Sequence, residues 1–430
     1  MIDGKTASEI FDNLRLQIAK GTFRAGDTLP PVRELAARLE VNRNTVASAY
    51  KRLVSSGLAL SLGRNGTVIK GPALPVALEG GDPHTPLVDL SGGNPAATCL
   101  PDLGRYLASL SHTHRLYGDA AVSPALKKWA TTWMKETTPS DGEIDITSGA
   151  IDAIERLLSA HLLPGDSVAV EDPCFLSSIN MLRYSGFRAS PVGVDNEGMQ
   201  PEKLEEALKG GARAVIITPR AHNPTGCSLS ASRAGALQHI LARYPQTLVI
   251  IDDHFSLLSV SEWFPVIAPE TLRWAIIRSM SKTLGPDLRL AIVASDPITS
   301  AALRLRLNSG SQWVSHLLQD LAHACLSDPD FQHRLTQARQ FYASRQQKLA
   351  EALRQYGLAI SPGDGLNLWL PLEHASQGTA FLLAKSGWLV REGEAFGVHE
   401  PAHGLRITLS SLNDEAIRQL AADIYQSLNR

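Results

Sequence analysis

The chain has 430 residues, 44% hydrophobic and 20% charged, a globular balance that excludes a disordered or collagen-like polymer. Its 41 basic and 43 acidic residues leave a net charge of −2, so any nucleic-acid binding must come from a local patch rather than bulk charge. The four cysteines form no CxxC or zinc spacing and no run approaches ~18 apolar residues, which argues against a disulfide framework, a Cys-rich metal site and a membrane span.

Met1 is followed at once by Asp3, Lys5 and Glu9, with no apolar signal-peptide core, and the expectation is a soluble cytoplasmic protein. Residues 1–70 hold eleven Lys/Arg and six Asp/Glu, a net of +5, so the rest of the chain carries −7. A basic head on an acidic body suggests a nucleic-acid-binding module fused to something else, although a solvated basic face has the same composition.

In the head, Ile10, Leu14 and Ile18 recur on one face and predict a helix from Ala7 to Lys20. Pro30 and Pro31 suit the start of a second helix, Val32–Leu39. After the break Glu40-Val41-Asn42, Asn42 is a good cap for a third helix, Arg43–Ser55, with Gly57 just past its end. Leu58–Leu62 alternates like a strand, Asn65-Gly66 is a hairpin turn, and Thr67–Ile69 returns.

That order is a winged helix-turn-helix, which sets the start of its second motif helix in the major groove. Arg43, Asn44 and Thr45 stand there: Arg pairs with guanine, Asn with adenine, and the helix end accepts phosphate. Arg33 is a candidate for backbone phosphate and Arg64, at the wing tip, for the minor groove or backbone; each alone also reads as an ordinary surface residue. Leu29-Pro30-Pro31-Val32-Arg33-Glu34-Leu35-Ala36, Val41-Asn42-Arg43-Asn44-Thr45-Val46 and Ala49-Tyr50 resemble the GntR family of bacterial regulators, with Asn42 where that family usually caps with Ser.

Pro and Gly punctuate residues 71–83, and a linker is expected over 71–87. Beyond it, apolar runs at Ser167–Val170, Ala214–Thr218, Thr247–Ile251, Trp274–Ile277 and Leu290–Ala294 alternate with helical stretches. They predict a parallel sheet with helices on both faces, whose ligands sit at the strands' carboxyl ends.

Distinctive residues follow those strands. Lys282 comes after Ser279 and is followed by Arg289; Asp252, Asp253 and His254 end an apolar strand; Asn223 lies in Asn-Pro-Thr-Gly; and Thr147-Ser148-Gly149-Ala150 opens a helix. Together they match the needs of pyridoxal 5'-phosphate: an amine for its aldehyde, a carboxylate for its ring nitrogen, a donor for its phenolate, and a cradle for its phosphate. Lys282 would take the aldehyde, Asp252 the ring nitrogen, and Asn223 with His254 the phenolate oxygen. Ser279, Arg289 and the backbone at Gly149 and Ala150 would hold the phosphate, and Phe175 would cover the ring. Taken singly, Phe175 also reads as core, Asn223 as a turn, and Gly149-Ala150 as a plain helix start.

As a set they resemble the fold-type I aminotransferases over about residues 88–430, with a smaller C-terminal α+β subdomain from about 328. The resemblance implies that Tyr117 reaches the phosphate across a dimer and that Arg406 grips an effector carboxylate, a structural ion pair being the alternative for Arg406. Arg220 is a further candidate to face the site. His254 replaces the family's usual Tyr, and its titration near neutral pH would tune the site; Phe175 lacks a Tyr hydroxyl. These departures put turnover in doubt, and no catalytic residue is assigned.

A GntR-type head at 1–70 on an aminotransferase-like body resembles the MocR family of bacterial transcription regulators. That implies a head-to-tail homodimer, an operator in double-stranded DNA, pyridoxal phosphate as cofactor or signal, and an amino-acid-like effector. Length and His254 are similar to a branch of the family encoded beside pyridoxal kinase, implying repression of vitamin B6 salvage. The rivals are an active aminotransferase with a DNA-binding head, and a body that binds no cofactor and only dimerises.

Overall fold

The computed structural model of the chain describes residues 2–24, 26–61, 63, 66–69, 78–82, 84–110, 113–139 and 141–429. It divides into an N-terminal unit and a larger unit that begins at Leu78.

The N-terminal unit holds α1 (Ala7–Ala19), α2 (Val32–Leu39), α3 (Arg43–Ser55) and the antiparallel pair β1 (Ala59–Ser61) and β2 (Thr67–Ile69). Thr6 and Glu9 form a reciprocal capping box at α1, satisfying N–H groups that a helix start leaves unpaired. Glu40, at φ 53°, turns the chain between α2 and α3, and the Asn42 side chain caps α3 by accepting from the Asn44 N–H at 2.8 Å. Ile10, Leu14, Leu35, Val46 and Leu53 are fully buried in one core, so the three helices are pinned by the apolar faces their spacing predicts. Arg64 and Asn65 lie outside the described residues, as does the stretch 70–77.

In the larger unit β3 (Val88–Asp89), α4 (Leu103–Ser109) and α5 (Pro124–Met134) precede an alternation of strands and helices. These are β4 (Glu143–Thr147), α6 (Ala150–His161), β5 (Ser167–Asp172), α7 (Leu176–Tyr184), β6 (Arg188–Asp195), β7 (Gly198–Met199), α8 (Pro201–Lys209), β8 (Ala212–Ile217), α9 (Ala231–Ala242), β9 (Leu248–Asp252), β10 (Arg273–Ser279) and β11 (Ala291–Ser295). They form one sheet in the order β4-β11-β10-β9-β8-β5-β6-β7. β9 and β10 are buried along most of their length, as strands covered on both faces must be.

The sheet is not wholly parallel, contrary to the expectation. β11 runs antiparallel to both β10 and β4, and β7 antiparallel to β6. The connection from β10 to β11 is too short for a crossover helix, so the chain must fold back. One consequence is functional: Lys282 and Arg289 both lie on that returning loop, at the edge where β4, β5, β8, β9 and β10 end.

The rest of the chain is α10 (Pro297–Asn308), α11 (His316–Ser327), α12 (Pro329–Gln355), β12 (Asn367–Pro371), α13 (Gln377–Lys385), β13 (Trp388–Leu389), β14 (Arg391–Glu392), β15 (Gly404–Thr408) and α14 (Asp414–Leu428). A small antiparallel sheet, β12-β15-β14, has its own core with Leu349, Leu353, Leu405, Ile407 and Ile424. α12 bridges the two cores, giving Phe331 and Leu335 to the large one and Leu349 and Leu353 to the small one. No described helix is long and apolar enough to cross a membrane.

Candidate functional site

The strand ends open onto a cavity of about 300 Å³ lined by Ala150, Phe175, Asn223, Asp252, His254, Ser279, Lys282 and Arg289, all expected there. Ile151, Ser177, Thr218, Ser281, Gly93 and Glu79 also line it, none of which the sequence reading assigned.

Asp252 closes β9, and its Oδ1 is buried with no hydrogen-bond partner among the described residues. Burial pushes its pKa up to about 7, with Asp253 and Glu171 adding to the rise. Behind it Glu171 accepts from the Thr218 N–H at 3.0 Å and lies 3.4 Å from His222 Nε2. Burial opposes charge on His222, yet Glu171 and Cys227 hold its pKa up, at about 10. A partnerless buried carboxylate aimed into a cavity is costly unless a cationic donor completes it.

The adjacent acid has another purpose. Asp253 is fully buried and takes a two-point bond from Arg220, at 3.1 and 2.7 Å, and a third from Arg278 Nε at 3.0 Å. Arg220 therefore faces this structural network and not the cavity, and the pair of acids ending the strand splits into one site residue and one packing residue. Alternation along a strand sends neighbours to opposite faces.

Lys282 Nζ donates to the Gly93 carbonyl at 2.6 Å. Burial lowers its pKa to about 8, against the pull of Glu79 and with the help of Arg406. His254 is also driven down, to about 4, first by burial and then by the Lys282 charge. It stays neutral at physiological pH, so the expected titration near neutrality is overturned. A neutral imidazole remains a donor or an acceptor according to its tautomer.

At the other end of the cavity α6 begins at Gly149 with no side-chain cap, which leaves its first N–H groups available for an anion. Gly149 has φ +101°, and a Cβ there would stand 2.8 Å from Arg289 Nη2. The glycine thus permits both the turn and the approach of the guanidinium. Ser279 Oγ lies beside the same loop, 3.2 Å from Ser281 Oγ.

Arg406 and Tyr117 differ from the rest. Arg406 is fully buried, and its Nη1 and Nη2 grip Glu79 at 2.6 and 2.8 Å, so the ion-pair alternative holds in this structure. Asn223 serves the same cluster, accepting from Arg406 Nη1 at 3.0 Å and donating Nδ2 to Glu79 at 3.2 Å. Tyr117 is 86% exposed, packs edge-on against Trp313, and does not line the cavity.

In the N-terminal unit Arg33, Arg43 and Asn44 are exposed and Thr45 is half-buried at the start of α3. Arg33 and Arg43 make no ion pair among the described residues. Arg43 is the first residue of α3, and a helix-turn-helix sets the start of its second motif helix in the major groove.

Comparison with known proteins agrees with this architecture. Residues 6–69 match the gntR family of bacterial regulatory proteins, and residues 85–424 match the aminotransferase class I and II family. Over all 430 residues, and the full length of both chains, the sequence is 76% identical to the vitamin B6 salvage pathway transcriptional repressor PtsJ of Salmonella typhimurium. It is 30% identical to the HTH-type transcriptional regulator YdcR of Escherichia coli over 86% of each chain. The crystal structure of the Pyrococcus horikoshii kynurenine aminotransferase superposes with a TM-score of 0.70 over 80% of this chain and 92% of that one, at 24% identity, a likeness of fold.

Proposed function

The chain belongs to the MocR-type transcriptional regulators, which join a gntR-family domain to an aminotransferase class I and II domain, and on that premise we propose that it is a DNA-binding repressor of vitamin B6 salvage genes whose body senses pyridoxal 5'-phosphate. The observation that carries this reading is the meeting of Lys282 and the partnerless carboxylate of Asp252 in one cavity.

The donor set suits that cofactor. Asp252 offers the buried anion that a protonated ring nitrogen needs, and its raised pKa marks a carboxylate awaiting a cationic partner. Lys282, with its depressed pKa, holds a larger fraction of neutral amine than an exposed lysine does. Arg289, Ser279 and the open N-terminus of α6 would bind the phosphate, Phe175 would cover the ring, and neutral His254 would face the phenolate oxygen. When bound, pyridoxal phosphate supplies an aldehyde for the amine of Lys282.

Tyr117, exposed and unused by its own cavity, fits a homodimer in which it reaches the partner's phosphate site. Arg43, Asn44 and Thr45 would read base edges of an operator, with Arg33 on the phosphate backbone; Arg64 keeps only its sequence-based assignment. The rival reading, an active aminotransferase, needs a substrate carboxylate on Arg406, whose two Nη groups are engaged by Glu79.

Sensing requires that the cofactor favour one of two states with different operator affinity. The test is a titration of pyridoxal phosphate against operator binding, with wild-type protein and Lys282→Ala. The operator Kd is expected to move by about tenfold or more in the wild type, a coupling of ordinary allosteric size, and to stay put in the variant. A wild-type Kd indifferent to pyridoxal phosphate overturns the sensing role.

A further inference from the structure

We infer that Glu79 is a built-in carboxylate ligand of Arg406 and that it determines specificity by reserving this clamp against amino-acid and other carboxylate effectors. The inference rests on the reading above that the cavity takes pyridoxal phosphate, and it concerns what else the cavity admits.

Arg406 has its side chain fully buried, and both of its Nη groups meet one carboxylate in the parallel two-point geometry that recognises a free carboxylate. Asn223 adds its amide to the same oxygen that Nη1 holds. The other Nη hydrogens are also placed: Nη1 donates to Asn223 Oδ1 and Nη2 to the Ser91 carbonyl at 2.6 Å, while Nε is buried with no partner among the described residues. Nothing remains on the outer edge of the guanidinium for a second anion.

The backbone that delivers Glu79 is tied on both sides. Arg391 Nη2 donates to the carbonyls of Leu78 and Gly80, at 3.1 and 2.8 Å, and the Gly80 N–H donates to Gly92 at 3.1 Å. Gly93 is shaped for this closeness. It has φ +63°, and a Cβ on it would stand 2.7 Å from Glu79 Oε2 and 3.1 Å from Arg406 Nη2.

A ligand held within the chain competes at an effective concentration no dissolved amino acid easily matches. An effector carboxylate that displaced Glu79 would also strand a half-buried acid beside its lost partner. What stays open in the cavity is the amine of Lys282, the carboxylate of Asp252 and the anion cradle at Gly149. Those groups suit an aromatic aldehyde phosphate, and the Arg406 clamp is left with no free Nη hydrogen for an effector carboxylate.

The experiment is calorimetric titration with succinate and with L-alanine on full-length protein, both cofactor-free and loaded with pyridoxal phosphate. Wild type, Glu79→Ala, Glu79→Gln and the double variant Glu79→Ala/Arg406→Ala are compared. Succinate is expected to bind Glu79→Ala at least about tenfold more tightly than wild type, and the gain to vanish in the double variant. Should Glu79→Ala unfold, the near-isosteric Glu79→Gln carries the same comparison. Wild-type protein that binds succinate as tightly as the single variants overturns the role of Glu79. Loss of the cofactor reading is seen separately, as protein that gains no visible absorbance with pyridoxal phosphate; the succinate comparison on cofactor-free protein still stands or falls by itself.

Discussion

Asp252 is the register partner of Ile277 on the adjacent parallel strand. The carboxylate that ends β9 is therefore level with a point just before the end of β10, and the loop carrying Lys282 leaves from directly alongside it. Two neighbouring strand ends thus place an acid and an amine in one cavity with no long segment to order.

The raised pKa of Asp252 has a consequence for stability. Its folded value, about 7, lies above the ordinary 3.8, so folding favours the neutral acid. For cofactor-free protein this group's contribution is most favourable below about pH 4, is lost as pH rises through about 7, and is level beyond. Asp252→Asn should remove that slope and leave the variant about 1–3 kcal/mol more stable than wild type at pH 8. Denaturant unfolding of cofactor-free protein at pH 5 and pH 8 checks this; equal pH dependence in both proteins would contradict it.

The next residue behaves in the opposite way. Asp253 joins Arg220 and Arg278 in a buried network, with Trp133 and Trp263 against the guanidinium groups. Asp253→Ala strands two buried cations and should cost about 3–5 kcal/mol of stability. Thermal and denaturant unfolding measure the cost, and a change within about 0.5 kcal/mol, as at an ordinary surface position, would show that the network is dispensable.

Loading should depend on pH through Lys282. With its pKa lowered to about 8, the neutral amine is the minor form at pH 6 and the major form above pH 8. The rate of absorbance gain on mixing with pyridoxal phosphate should rise about tenfold per pH unit below 8 and then level off. A flat profile between pH 6 and 9 would assign the slow step to something other than deprotonation of this amine.

At the head, Arg43→Ala should weaken operator binding by about 1–3 kcal/mol with a smaller loss on random DNA, if the guanidinium pairs with a base. An equal loss on both would assign it to phosphate. Fluorescence anisotropy against the two duplexes separates the outcomes, and binding by wild type should fall steeply with salt as counterions are released.

The sequence by itself determined what lies within a few residues along the chain. The periods of Ile10 and Leu14, the cap at Asn42 and the pattern around Lys282 are local, because helix periodicity, capping and turn chemistry act between near neighbours. That was enough to place α2 and α3 and to nominate eight residues that line one cavity. Only the tertiary structure decided which charges meet. Glu79 and Arg406 are 327 residues apart in the chain, and no spacing rule pairs them. Asp252 and Asp253 look alike in the sequence, and packing sent one into the cavity and the other onto two arginines. His254 carries an ordinary titrating imidazole until burial and the nearby Lys282 hold it neutral. Pairing and desolvation depend on what is brought alongside in space, and that is settled only when the whole chain has packed.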